Sequence, residues 1–242
     1  MARKPQTTQP EAPVESGAGD EARHCAALNA YGSYLYGQGR WEEARDVFAK
    51  ARKVLPDDAS TCKNLATALS ACGDSDEAVR LFAELSARLP GDAALHNSFG
   101  LALYRAGRLD EAAEEFSRAT ELAPAEYMYW HHKGTNALAQ GRTSAAIAAL
   151  ARAVALPGAS PACYYNLAVA MGQTGETERA TMFLQKAVSL RMDDADLLLR
   201  AASLMKGWGR QVAAMECLRS FVQSGRHNRR VEDLLAELST ET

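Results

Sequence analysis

The sequence predicts an all-α protein built from stacked pairs of antiparallel helices, and three observations carry that prediction. Ala44, Ala78, Ala112, Ala146, Ala180 and Ala214 are separated by 34 residues each, and Gly39, Gly73, Gly107, Gly141, Gly175 and Gly209 keep the same interval five residues earlier. A third series, Phe48, Phe82, Phe116, Leu150, Leu184 and Leu218, keeps it four residues after the alanines. Three residue classes in one register over six copies mark an internal repeat, and a period of this length belongs to stacked helical units.

The repeat frame runs 25–58, 59–92, 93–126, 127–160, 161–194 and 195–228. In the first half of a copy, apolar or small residues recur with the i, i+3, i+4, i+7 spacing of one helix face, as in Leu28, Tyr31, Gly32, Leu35 and His96, Phe99, Gly100, Leu103. Ala44, Phe48 and Ala51 begin the same pattern in the second half. Between the halves stands glycine followed by a polar residue (GRW, GDS, GRL, GRT, GET, GRQ). Glycine there adopts the left-handed conformation that ends one helix and reverses the chain.

Small residues at position 8 of the frame (Gly32, Ala66, Gly100, Gly134, Ala168, Ala202) are expected to face the alanine series, with the large side chain at position 24 filling the gap toward the next copy. On that reading Ala112→Phe costs about 1–3 kcal/mol by overpacking, and Phe116→Ala about 3–5 kcal/mol. The prolines at 56, 90 and 124 share the period and then lapse. At the end, Val231, Leu234, Leu235 and Leu238 share one face of a helix expected over 229–239, which caps the last seam before a short tail to 242. At the start, MARKPQTTQPEAPVESGAGD has almost nothing to bury, so residues 1–20 are expected to be a disordered tail and the repeats to occupy 21–228.

Hydrophobic content of 47% and charged content of 24% are those of a soluble globular chain, and a net charge of −3 gives no global attraction to nucleic acid or acidic membranes. The cluster Arg226, His227, Arg229, Arg230 reads as an ordinary charged helix start, with a local anionic contact as the alternative. No run of eighteen apolar residues predicts an integral membrane segment, and no apolar region follows the N-terminus to suggest secretion. The cytoplasm is therefore the expected location. Five widely spaced cysteines without a CxxC favour small buried thiols over a disulfide framework or zinc site.

Nothing in the chain predicts catalysis, a cofactor or a metal. The Gly100–Gly107 spacing falls on helices rather than after a strand, and no terminal GK[ST], GxSxG, HExxH or HxExxxPCxxC is present. His131 and His132 are adjacent, so on a helix they point about 100° apart and do not chelate one ion together. Acidic pairs such as Glu42-Glu43, Glu114-Glu115 and Asp193-Asp194 read as solvent-facing charge. RNA-reading solenoids keep a base-reading pair in every repeat. Positions 2 and 5 here show no such code.

The third copy (Phe99-Gly100, Leu103 or Tyr104, Gly107, Ala112, Phe116, Ala119, Pro124), with Trp130 and Gly134 in the fourth, resembles the tetratricopeptide repeat family. The resemblance covers 25–228. It implies a right-handed superhelical solenoid whose concave groove, lined by positions 2, 5, 9, 12 and 13 of the first helices, binds a protein or peptide partner. Mapped onto this sequence, those positions include Asn29, Tyr36, Lys63, Asn97, Leu101, Tyr104, Arg105, Met128, His131, Leu138, Tyr165, Val169 and Leu199. Asn97 and Asn166 are expected to pair with a peptide backbone, and Leu101, Tyr104 and Tyr165 to bury side chains; helix packing alone is the competing reading for each tyrosine. The clamp with which some members grip a C-terminal carboxylate is not restored in any window, the last reading His131, Thr135, Asn166, Asp196, Arg200. Two functions follow: a non-enzymatic adaptor or chaperone-like scaffold, or a self-assembling structural scaffold in a secretion, pilus or membrane-associated assembly. Lys133, where Leu or Phe is usual, is expected to lay its stem along the helix.

Overall fold

A computed structural model describes residues 17–191 and 193–240, which form α-helices and no strand. The chain divides into two compact units at Leu85/Ser86. The first contains α1 (Gly17–Gly37), α2 (Trp41–Val54), α3 (Ala59–Cys72) and most of α4 (Ser75–Arg88), with α1 packed on α2 and α2 on α3. The second contains α5 (Ala93–Arg105), α6 (Leu109–Leu122), α7 (Tyr127–Ala139), α8 (Thr143–Ala155), α9 (Pro161–Gln173), α10 (Thr177–Leu190), α11 (Ala195–Gly207), α12 (Gln211–Gln223) and α13 (Arg229–Thr240). Within it each helix packs on its sequence neighbour, and α5 meets α7, α7 meets α9 and α10 meets α12. First and second helices thus form separate layers.

The expected tail is helical from Gly17 onward. Asp20 sits in the first turn of α1, where the helix dipole favours a carboxylate, and pairs with Arg23 at 2.7 Å. The remainder of that tail, residues 1–16, lies outside the described residues.

All six turn glycines have φ between +71° and +92°. The residue after each donates its N–H to the carbonyl five positions back, as in Arg40 to Leu35 (3.1 Å), Arg108 to Leu103 (2.9 Å) and Arg142 to Ala137 (2.8 Å). This is the Schellman closure, which satisfies a carbonyl that the helix end leaves free.

The six alanines of the 34-residue series are fully buried, as are Phe116, Leu150, Leu184 and Leu218. Position 8 departs from expectation. A methyl group built on Gly32 would stand 2.6 Å from the Phe48 ring, on Gly100 2.7 Å from the Phe116 ring, and on Gly134 2.5 Å from Leu150 Cγ. These glycines seat the position-24 side chain of their own copy, so position 24 fills the interior of its own hairpin.

The proline series has a partner that its period does not reveal. Position 4 of the next copy donates to each proline carbonyl: Cys62 Sγ to Pro56 (3.4 Å), His96 Nε2 to Pro90 (3.0 Å) and Trp130 Nε1 to Pro124 (2.9 Å). Where the proline lapses to Gly158 (φ +80°), position 4 becomes Tyr164, which packs toward Phe183 instead. His96 is also hydrogen-bonded to Glu115, Nδ1 to Oε2 2.6 Å, both side chains being buried. Glu115 is therefore not the solvent-facing charge expected of an acidic pair. Its other oxygen accepts from Arg118 at 3.0 Å. At the C-terminus, α13 buries Val231 and Leu238 in the core of the second unit, with Leu234 and Leu235 packed beside them.

Candidate functional site

The first helices carry a polar ladder, built from position 5 of one copy and position 6 of the next. In the first unit, Asn64 Nδ2 donates to Asn29 Oδ1 (3.3 Å), and Asn29 Nδ2 donates to Thr61 Oγ1 (2.6 Å). In the second unit, His132 Nδ1 donates to Asn97 Oδ1 (2.7 Å), and Asn166 Nδ2 donates to His131 Nε2 (3.0 Å) and Thr135 Oγ1 (3.3 Å). The same register places the Arg200 guanidinium 5.3 Å from the Tyr165 ring centroid. The links Asn29–Asn64, Asn97–His132 and His131–Asn166 each span 35 residues, one period plus one. It ties neighbouring copies together where two half-buried polar groups would otherwise each lose a water partner.

This ladder corrects part of the expected lining. Asn97 is buried against His132, so its amide is not presented for a peptide backbone, and the Asn166 Nδ2 is held by two acceptors while the residue stays half-buried. Leu199 is buried, as part of the apolar core of the second unit. Asn29 and His131 are half-buried with their polar atoms engaged.

The other expected residues keep accessible surface. Tyr36 and Lys63 are half-buried in the first unit. In the second, Leu101, Tyr104, Leu138, Tyr165 and Val169 are half-buried, while Met128 and Arg105 are exposed. The ring face of Tyr165 opens beside a cleft of about 340 Å³, lined also by Asn166, Arg191, Leu197 and Arg200. Lys133 lays its ammonium 5.4 Å from the Trp130 centroid, with Arg152 at 5.7 Å from the same ring. The cation is thereby held over an aromatic face rather than released to water.

The two histidines at the centre of the ladder are electrostatically unusual. Burial, then the neighbouring His131 and the Arg105 guanidinium, push the His132 imidazole down to about 4. Burial also lowers His131. Their rings lie 5.7 Å apart. Both are held neutral by an environment that penalises the imidazolium. The hydrogen-bond roles agree, since His131 Nε2 accepts from an amide and must lack a proton.

The bonding along the first helices went unread in the sequence. The signal was present as Asn or His recurring at positions 5 and 6 of successive copies (Asn29/Asn64, Asn97/His132, His131/Asn166), an interval of one period plus one.

Helix pairs closed by left-handed glycines, with alanine and Phe or Leu in a 34-residue register, define a class of helical repeat proteins. Family models described as Tetratricopeptide repeat match residues 35–99, 93–126 and 132–196. The chain belongs to the tetratricopeptide repeat family. Its fold is similar to that of PilW, described as a widely conserved type IV pilus biogenesis factor (TM-score 0.70, 21% identity, 87% of this chain and 98% of that one). It is also similar to Pseudomonas aeruginosa pilF (TM-score 0.69, 18% identity, 90% and 99%). A thermophilic repeat protein of Thermus thermophilus gives a TM-score of 0.65 at 24% identity, over 75% of this chain and 98% of that one. No curated protein matches the sequence significantly.

Proposed function

We propose that this protein is a non-enzymatic binding module that takes a partner peptide segment or protein surface on its first-helix face, as an adaptor or chaperone-like scaffold. One observation carries the reading. Accessible apolar and aromatic side chains (Leu101, Tyr104, Met128, Leu138, Tyr165, Val169) recur along α5, α7 and α9, while the polar groups between them are bonded to one another. Apolar surface of this kind, flanked by bonded rather than free polar groups, suits a partner that buries side chains. Arg105 supplies a further contact on α5, and Tyr36 on α1 and Lys63 on α3 supply contacts on the first helices of the first unit. The net charge of −3 supports a protein rather than a nucleic-acid ligand. Five cysteines, none of them in a disulfide, support a reducing compartment such as the cytoplasm.

Pull-down with mass spectrometry, comparing the wild type with Leu101→Arg/Tyr165→Ala, tests this reading. Loss of the captured partner at unchanged far-UV circular dichroism supports it. Retained capture rejects the first-helix face as the site.

Self-assembly is a second reading, favoured by exposed aromatic residues at the start of the first unit. Among proteins of similar fold, PilW is described as a type IV pilus biogenesis factor.

A further inference from the structure

The second helices supply an internal control for what belongs on their outer face. Position 18 of the frame holds Glu42, Asp76, Asp110, Ser144, Glu178 and Val212 in successive copies, and position 22 holds Asp46, Arg80, Glu114, Ala148, Met182 and Glu216. All of these residues are exposed, and they are charged or small in every case but two. The exceptions are Val212 and Met182, which are 63% and 68% exposed. They are not scattered. Both line one open-sided cleft of about 500 Å³ between α10 and α12, together with Thr181, Ala213 and Glu216. The corresponding cleft between α6 and α8 is lined by Asp110, Glu114, Glu121, Arg118 and Arg142, the composition of a face that meets water. Apolar residues gathered in one cleft where other copies place charge mark a surface that something covers.

We propose that this cleft docks a partner segment that lays a bulky apolar side chain between Met182 and Val212 and sets a lysine or arginine against Glu216. The charge of the cleft selects that occupant. The Arg210 guanidinium at its edge is already spent on Glu178, at 2.9 Å. Glu216 has no cation among the described residues, because Arg219, one turn further along α12, is directed at Met215 Sδ instead (3.9 Å). One carboxylate is therefore left uncompensated beside the apolar pair, which attracts a basic group and repels an acidic one. A second copy of this chain is a poor occupant, since a two-fold pairing of the cleft with itself sets two uncompensated Glu216 carboxylates in one interface. The cleft lies on the second helices and is separate from the proposed first-helix binding face.

Selection of phage-displayed random peptides on the full chain, with Met182→Glu/Val212→Glu as the counter-selection, tests the proposal. Glutamate stands at these positions elsewhere in the frame, as Glu114 and Glu216 and as Glu42 and Glu178, so the double variant should keep its far-UV spectrum. Met182→Ala/Val212→Ser, the pair that copy four carries as Ala148 and Ser144, serves if it does not. Peptides that survive counter-selection should combine a large apolar residue with lysine or arginine. One of them, made synthetically, should bind the wild type at least tenfold more tightly than the double variant. Selection on Glu216→Arg should replace the basic residue with aspartate or glutamate. An empty counter-selected pool overturns the proposal, as does a pool rich in acidic residues or a basic residue that persists on Glu216→Arg. A wild type that dimerises in sedimentation velocity while the double variant stays monomeric assigns the cleft to a second copy and overturns it equally. Leu101→Arg/Tyr165→Ala should leave binding of the selected peptide unchanged, so this site stands or falls apart from the first-helix face.

Discussion

Asn97 Oδ1 and His132 Nδ1 lie 2.7 Å apart although 35 residues separate them in sequence. The imidazole is wedged between Asn97, the Phe116 ring (centroids 5.9 Å apart) and His131, with Arg105 as the nearby cation that opposes its protonation. A neutral ring satisfies this arrangement and an imidazolium does not.

Stability should therefore fall with acidity in a defined window. The native His132 titrates near 4 against an ordinary value of 6.5, so between those values the unfolded chain binds the extra proton. Stability is complete above the unfolded value and declines as pH drops through the native one, and His131 adds in the same direction. The urea midpoint should be lower at about pH 4.5 than at about pH 7.5, and His132→Gln should flatten that dependence. An equal dependence in the variant would remove His132 as its source.

Gly100 tests the seating of the position-24 ring. Alanine there gains about 1 kcal/mol of helix propensity. Its methyl group, however, would stand 2.7 Å from Phe116, a ring that is almost fully buried. Gly100→Ala should be destabilising by about 1–2 kcal/mol net. Copies five and six pair alanine with leucine at these positions, Ala168 with Leu184 and Ala202 with Leu218. Gly100→Ala/Phe116→Leu should accordingly lose less than the two single changes combined, as read in a double-mutant cycle. Strict additivity would contradict direct contact.

Gly172 holds a different aromatic. A methyl group on it would overlap the Trp208 indole at Cζ2, so Gly172→Ala should expel the ring from its place against α9. Tryptophan emission should shift to the red and the thermal midpoint should fall, by the equivalent of about 1–3 kcal/mol. Unchanged emission would show that the ring is not held there.

The features legible in the sequence were those fixed inside one copy. Glycine, alanine and Phe or Leu recur because each meets the same neighbours within its own hairpin, and the period displays them directly. Bonds between copies were harder to read. The Asn97–His132 link joins unlike residue types at unlike positions, so alignment at the period hides it. Glu115 looked like surface charge because its partner, His96, lies on the other helix of the hairpin. Tyr31 looked like core because it keeps the register of Leu65 and Phe99, yet it is 52% exposed. Of the expected lining, Leu101, Tyr104 and Tyr165 keep accessible surface, whereas Asn97 and Leu199 are buried by contacts that positional analogy does not register.

The ladder between positions 5 and 6 divides labour along the first helices. Those two positions act as joinery, and positions 9 and 12, represented by Leu101, Tyr104, Leu138 and Val169, are left as interchangeable tiles. If the proposed binding face is right, retargeting it is a matter of randomising the tiles while Asn97, His131, His132 and Asn166 are held constant.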